Sequence, residues 1–183
     1  VCLTIAGLDP SGGAGIIADI KTFSAFGCFA TAAVASITFQ NTTGVFGSLS
    51  QSGEAIRRQV DPIAEDYEIS AVKTGMLPTL EAIEETARLV QEFEMPNVVV
   101  DPVVRSTSGY DLIDDDALRA LVRLMFPLSD IVTPNIPEAE RISGIKIDSV
   151  EKIHEAARAM LSMNARAVLI KGGHFRDAPA TDY

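Results

Sequence analysis

Gly7-Leu8-Asp9-Pro10-Ser11-Gly12-Gly13-Ala14-Gly15 joins a strand-like apolar run, residues 1–6, to a helical pattern that begins near Gly15. A glycine-rich turn between strand and helix brings backbone close to a ligand, because little Cβ stands in the way. It also aims the first helix amides, and the positive end of the helix dipole, at whatever occupies the turn. The expectation is a small polar ligand at the carboxyl end of the first strand. Two common phosphate loops do not fit. Gly7 and Gly12 have the spacing of a P-loop, but Gly13 and Ala14 follow where lysine and a hydroxyl residue are needed. Gly13, Gly15 and Ala18 imitate a dinucleotide fingerprint. That motif requires an acidic residue about 20 positions on, and residues 30–51 contain no Asp or Glu.

Outward from this loop, apolar and amphipathic runs alternate. Strand-like runs cover residues 2–6, 31–38, 71–74, 97–101, 130–133 and 167–171, and helix-like runs cover 15–26, 52–67, 79–93, 115–125, 137–143 and 149–163. Several strand runs are apolar on consecutive residues, as strands buried on both faces should be. Such alternation predicts one α/β domain over residues 1–183, with a parallel sheet covered by helices on both faces.

A composition of 47% hydrophobic and 22% charged residues suits a folded chain with a large core. The formal net charge of −10 argues against nucleic-acid partners, whose phosphates need clustered Lys and Arg. No signal-peptide pattern is present, and no apolar run nears the roughly 20 residues that span a membrane. Cys2 and Cys28, the only cysteines, are read as buried core thiols in a reducing cytoplasm.

Ligands of such sheets bind beyond the carboxyl ends of the strands. Six strand ends carry polar or glycine-rich groups: Asp9, Gln40-Asn41, Lys73-Thr74-Gly75-Met76, Asp101, Thr133-Pro134-Asn135 and Lys171-Gly172-Gly173-His174. Their convergence predicts a small-ligand site or an enzyme.

In order, the chain reads GLDPSGGAGIIADIKTFSAFG, QNTTGV, KTGML, DPVV…TSG, TPNIPEAE and VLIKGGH. From Leu3 to His174 this resembles the hydroxymethylpyrimidine and phosphomethylpyrimidine kinases of thiamin biosynthesis, within the ribokinase superfamily. The resemblance implies a ribokinase-like three-layer α/β/α sandwich with a mostly parallel central sheet. It implies ATP with Mg²⁺ as phosphoryl donor, and as acceptor 4-amino-5-hydroxymethyl-2-methylpyrimidine and/or its monophosphate. It also implies a cytoplasmic homodimer.

Carried over position by position, Gly7, Ala14, Asp19, Gln40, Met76 and Val103 are expected to bind the pyrimidine. A carboxylate at Asp19 suits an aminopyrimidine, although an acid early in a helix is also ordinary. An amide at Gln40 both donates and accepts, so it can read a ring nitrogen beside an amino group; a turn residue is the alternative. Met76 and Val103 would be apolar walls, or simple core. Asn135 and Lys171 are expected at the nucleotide, and Asp101 and Glu138 near Mg²⁺ through water. Glu138 also follows Pro137 at a helix start, where an acid is common. His154 reads as a surface residue and His174 as structural.

The sequence departs from the family in two respects. No Gly-Thr-Gly segment occurs, whereas the family's anion hole and its catalytic Cys or Asp follow one. The expectation is that these 183 residues belong to a longer product whose C-terminal part is missing here, and that the chain alone has little turnover. Smaller departures are Ile17, Leu8, Phe39, which could narrow the pocket, and Arg105, which could bring a charge to an anionic substrate. Two other functions compete: a pyridoxal or pyridoxine kinase, and a catalytically dead ligand-binding domain.

Overall fold

The first strand, β1 (Cys2–Leu8), buries four consecutive side chains, Leu3, Thr4, Ile5 and Ala6. A strand can do this only when both faces are covered. A computed structural model describes residues 1–104, 112–172 and 181–183. Beside β1 lie β2 (Ala30–Asn41) and β4 (Ala71–Thr74), both parallel to it, while β3 (Gly44–Ser50) pairs antiparallel to β2 at the edge. On the other side β4 leads to β5 (Val98–Val100) and β6 (Ile131–Val132), also parallel. The order is β3-β2-β1-β4-β5-β6. The chain thus leaves β1 in one direction for β2 and returns on the other side with β4. Such a reversal opens a crevice at the strands' carboxyl ends.

The helices are α1 (Gly15–Ala25), α2 (Gly53–Asp66), α3 (Leu80–Glu92), α4 (Asp115–Met125), α5 (Ile136–Ser143) and α6 (Val150–Ser162). The predicted α/β/α layering is what forms, with α1 against β1 and β2, α2, α3 and α4 side by side, and α5 against α6. Local chemistry sets the helix starts. Ser52, Thr79, Asp114 and Ser149 each accept a backbone N–H three residues on, and each such cap is worth about 1 kcal/mol. Between α2 and α3, Arg57 reaches Glu85 and Glu92, and Arg88 pairs with the same buried Glu85. The carboxylate is therefore paired where it is desolvated.

Three expectations need correction. Strand β3 was not foreseen, and β2 runs on to Asn41, whose Oδ1 accepts the Thr43 N–H and the Gly44 N–H to tie the hairpin. The reason is that Phe46 and Leu49 on β3 are exposed, so the run lacks apolar alternation. Residues 167–171 run beside β6 through isolated bridges, Val132 to Val168 and Asn135 to Lys171, rather than as a continuous strand. Cys28, expected buried, is exposed because it follows the turn after α1, and Cys2 is only half-buried.

Candidate active site

The loop after β1 folds around its own carboxylate. Asp9 is 4% exposed. It accepts hydrogen bonds from the Ser11 amide at 2.8 Å, the Ser11 hydroxyl at 2.7 Å, and the Gly13 and Ala14 amides at 3.2 and 2.9 Å. Burial pushes the Asp9 pKa up, but these donors outweigh it and leave the carboxyl below its ordinary value. Asp9 thus engages three amides of the loop that precedes α1, and the loop arrives pre-folded. Gly15 is what lets it close: its φ is +55°, and a Cβ there would stand 2.2 Å from the Gly7 carbonyl oxygen.

The loop forms one wall of a cleft of about 350 Å³ at the carboxyl ends of β1, β2, β4 and β5. Gly7, Asp9, Ala14 and Gly15 line that wall; Thr38, Gln40 and Val45 come from the β2–β3 hairpin, and Lys73, Gly75 and Met76 from β4 and its end. The far side is Asp101, Val103, Leu112, Asn135, Glu138 and Lys171. The near side carries the amide of Gln40 and the apolar Val45 and Met76, and the far side carries the charges of Asp101, Glu138 and Lys171. Gln40 Oε1 accepts the Thr38 hydroxyl at 3.1 Å, which leaves the Gln40 amide nitrogen as a donor. A Cβ at Gly7 would sit 3.1 Å from Met76 Sδ, so a glycine there keeps the first strand's end thin against that wall.

In the charged half, Lys171 Nζ donates to Asp101 Oδ1 at 2.7 Å, and the Thr133 hydroxyl reaches the same oxygen at 3.3 Å. Asn135 and Glu138 form a reciprocal cap on α5: Asn135 Oδ1 accepts the Glu138 amide at 2.9 Å, and Glu138 Oε2 accepts the Asn135 amide at 2.8 Å. Glu138 is 4% exposed. Burial raises its pKa from 4.5 to about 7; the Asn135 amide and Lys171 pull the other way, and Asp101 adds to the rise. Among the described residues, Asp101 and Glu138 bring two carboxyls to this half, beside Lys171.

Comparison with known proteins decides the family. The phosphomethylpyrimidine kinase family profile matches residues 9–183. The chain belongs to the phosphomethylpyrimidine kinase family. It is 45% identical over 172 residues to the hydroxymethylpyrimidine/phosphomethylpyrimidine kinase of Bacillus subtilis, covering 94% of this chain and 64% of that protein. The crystal structure of phosphomethylpyrimidine kinase from Clostridium difficile 630 superposes with a TM-score of 0.89 at 44% identity, over 99% of this chain and 78% of that one. The ADP complex of B. subtilis pyridoxal kinase superposes with a TM-score of 0.88 at 34% identity, over 99% and 68%.

Of the ten residues expected at the site from the resemblance to this kinase family, the cleft brings together Gly7, Ala14, Gln40, Met76, Val103, Asp101, Asn135, Glu138 and Lys171. Asp19 does not line it; its Oδ2 accepts the Thr4 hydroxyl at 2.6 Å and pairs with Lys73 at 3.1 Å. Phe39, expected to narrow the pocket, is exposed and off the cleft. Along β2 its neighbours Thr38 and Gln40 take the cleft face, and strand side chains alternate. Arg105 and His174 lie outside the described residues. His154 is exposed, edge-on to Tyr183. Sequence reading passed over Lys73 and Val45. The lysine was visible at a strand end and in the KTGML stretch but was given no role, and Val45 was hidden with its strand. Among the described residues no group of three or more His, Cys, Asp or Glu could hold a metal ion, and no helix is long and apolar enough to cross a membrane.

Proposed function

We propose that the protein carrying this chain transfers the γ-phosphoryl group of ATP to the hydroxymethyl oxygen of 4-amino-5-hydroxymethyl-2-methylpyrimidine, and/or to its monophosphate. The new bond joins that oxygen, or a phosphate oxygen of the monophosphate, to phosphorus; the bond from phosphorus to the ADP oxygen breaks, ADP leaves, and the alcohol's proton passes to solvent. One observation carries this reading: a single cleft sets Gln40 and Met76 opposite Asp101, Asn135, Glu138 and Lys171. In the proposed arrangement Gln40 reads the aminopyrimidine edge, and Gly7, Ala14, Met76 and Val103 pack the ring. Asn135 and Lys171 meet the nucleotide.

Phosphoryl transfer depends mainly on positioning and charge neutralisation. Asp101 and Glu138 fit Mg²⁺, since they are hard oxygen donors, too few for a resident ion but suited to one shared with phosphates. Bound there, Mg²⁺ would supply charge neutralisation at the phosphates. The chain's own part is to hold the two carboxylates in place, Glu138 through the α5 cap and Asp101 through Thr133. Lys171 stands ready to exchange Asp101 for a phosphate oxygen.

A second acceptor, pyridoxal or pyridoxine, is favoured by the likeness to B. subtilis pyridoxal kinase. The deciding experiment offers the protein ATP, Mg²⁺ and equal amounts of both alcohols, with products resolved by mass spectrometry. The proposal expects the pyrimidine phosphate to dominate in initial rate. Pyridoxal phosphate as the faster product would overturn the choice of acceptor, and no phosphorylated product at all would overturn the kinase. We further propose a cytoplasmic homodimer, for which the exposed Phe46 and Leu49 on edge strand β3 offer a face.

A further inference from the structure

Lys73 stands in the cleft without a part in the reading above. Its Nζ lies 3.1 Å from Asp19 Oδ2 and 3.9 Å from Asp101 Oδ2, with the side chain 19% exposed. The other Asp101 oxygen is the one that takes Lys171 and Thr133. Four charges therefore alternate in a row that begins at Asp19, beside the cleft, and crosses it through Lys73, Asp101 and Lys171.

The two ends of this row differ in how they are held. Thr4 and Lys73 are register partners on adjacent strands β1 and β4. The fully buried Thr4 donates to the same Asp19 oxygen that pairs with Lys73. Gly75 leaves the room the ammonium occupies, since a Cβ there would stand 2.9 Å from Lys73 Nζ. Lys171 is freer: its side chain is 39% exposed, and its backbone joins the sheet edge through a single bridge to Asn135.

We propose that Lys73 is a positioning residue that orients Asp101 and is itself fixed by Asp19, so that Asp19 and Lys73 act as one unit. The inference rests on the phosphoryl-transfer reading. If Lys171 turns from Asp101 to an incoming phosphate, Asp101 loses its nearest cation. Lys73, tied down by Asp19 and Thr4, then keeps the carboxylate in place. It also explains why an aspartate on α1 belongs to the site without lining it.

The test compares the natural full-length protein with K73M, D19N and the double variant. K73M removes the charge and keeps the length; D19N keeps the shape and still offers Thr4 an acceptor. Each single change should lower kcat about tenfold and raise KM for ATP in step with the analogue affinity, and the double variant should lose much less than the product of the two. Binding of Mg²⁺ with a non-hydrolysable ATP analogue, by calorimetry, should weaken in each single variant and no further in the double. Melting curves check folding, and D19N with the binding measurement decides the matter if K73M does not fold. Multiplicative losses, or a K73M or D19N protein with unchanged kcat and unchanged analogue affinity, would overturn the proposal. A wild type that phosphorylates no alcohol sinks the kinase reading, yet coupled losses in the binding arm would still support the Asp19–Lys73 unit. A wild type that binds no nucleotide overturns both.

Discussion

Replacing Glu138 by Gln should stabilise the protein above neutral pH while removing its activity. Glu138 is buried, and its pKa is raised from 4.5 to about 7. That rise spans about 2.5 decades of proton affinity at about 1.4 kcal/mol each, hence about 3 kcal/mol. The sign follows from linkage. The folded state holds the proton more tightly than the unfolded chain, so the contribution to stability is full below pH 4.5, falls as pH climbs, and is gone above about 7. Gln keeps the shape and a carbonyl oxygen for the Asn135 amide, and it never ionises. The variant's stability minus the wild type's should therefore be near zero at pH 4.5 and rise to about 3 kcal/mol at pH 8. Urea unfolding followed by circular dichroism at pH 5, 6, 7 and 8, with chelator present, measures this difference. A difference that stays flat across that window would refute the reasoning. Such a gain in stability beside a loss of function marks a residue kept for its chemistry.

Three further outcomes follow from the site's construction. Asp9→Ala removes the buried acceptor of three amides and a hydroxyl and should cost about 3 kcal/mol at neutral pH. Because the Asp9 pKa is lowered from 3.8, the deficit against wild type should shrink as pH falls below that value, in acid titrations of both proteins. Gly15→Ala would put a methyl 2.2 Å from the Gly7 carbonyl at a φ of +55°, so a loss of about 3 kcal/mol or more is expected from thermal unfolding. Thr74→Val should be neutral or stabilising by about 1 kcal/mol, since the Thr74 hydroxyl is buried without a partner among the described residues; a clear loss of stability would contradict that.

Much of this molecule was legible in its sequence for a definite physical reason. Strand β1 is buried on both faces and apolar at every residue from 2 to 6 but Thr4, so that run announced itself. Polar residues at strand ends then had few places to be other than the crevice. What stayed hidden depended on direction rather than composition. Phe39 and Gln40 are adjacent, yet pleating sends only Gln40 into the cleft. Strand β3 carries Phe46 and Leu49 outward, which cancels the pattern that reveals a half-buried strand. The glycine pattern also did not show that Asp9, two residues past Gly7, ties three amides of the loop together. Asp19 pairs with Lys73, a contact across 54 residues that no local pattern encodes.

The central claim is that one cleft takes an aminopyrimidine alcohol at Gln40 and a nucleotide at Lys171, with their reacting ends facing each other. A crystal structure with Mg²⁺, a non-hydrolysable ATP analogue and 4-amino-5-hydroxymethyl-2-methylpyrimidine tests it most directly. The account predicts the amino edge of the ring on the Gln40 side chain, phosphates on Lys171, and the metal beside Asp101 and Glu138. Either ligand bound elsewhere, with the Gln40 and Lys171 side chains left untouched, would contradict it.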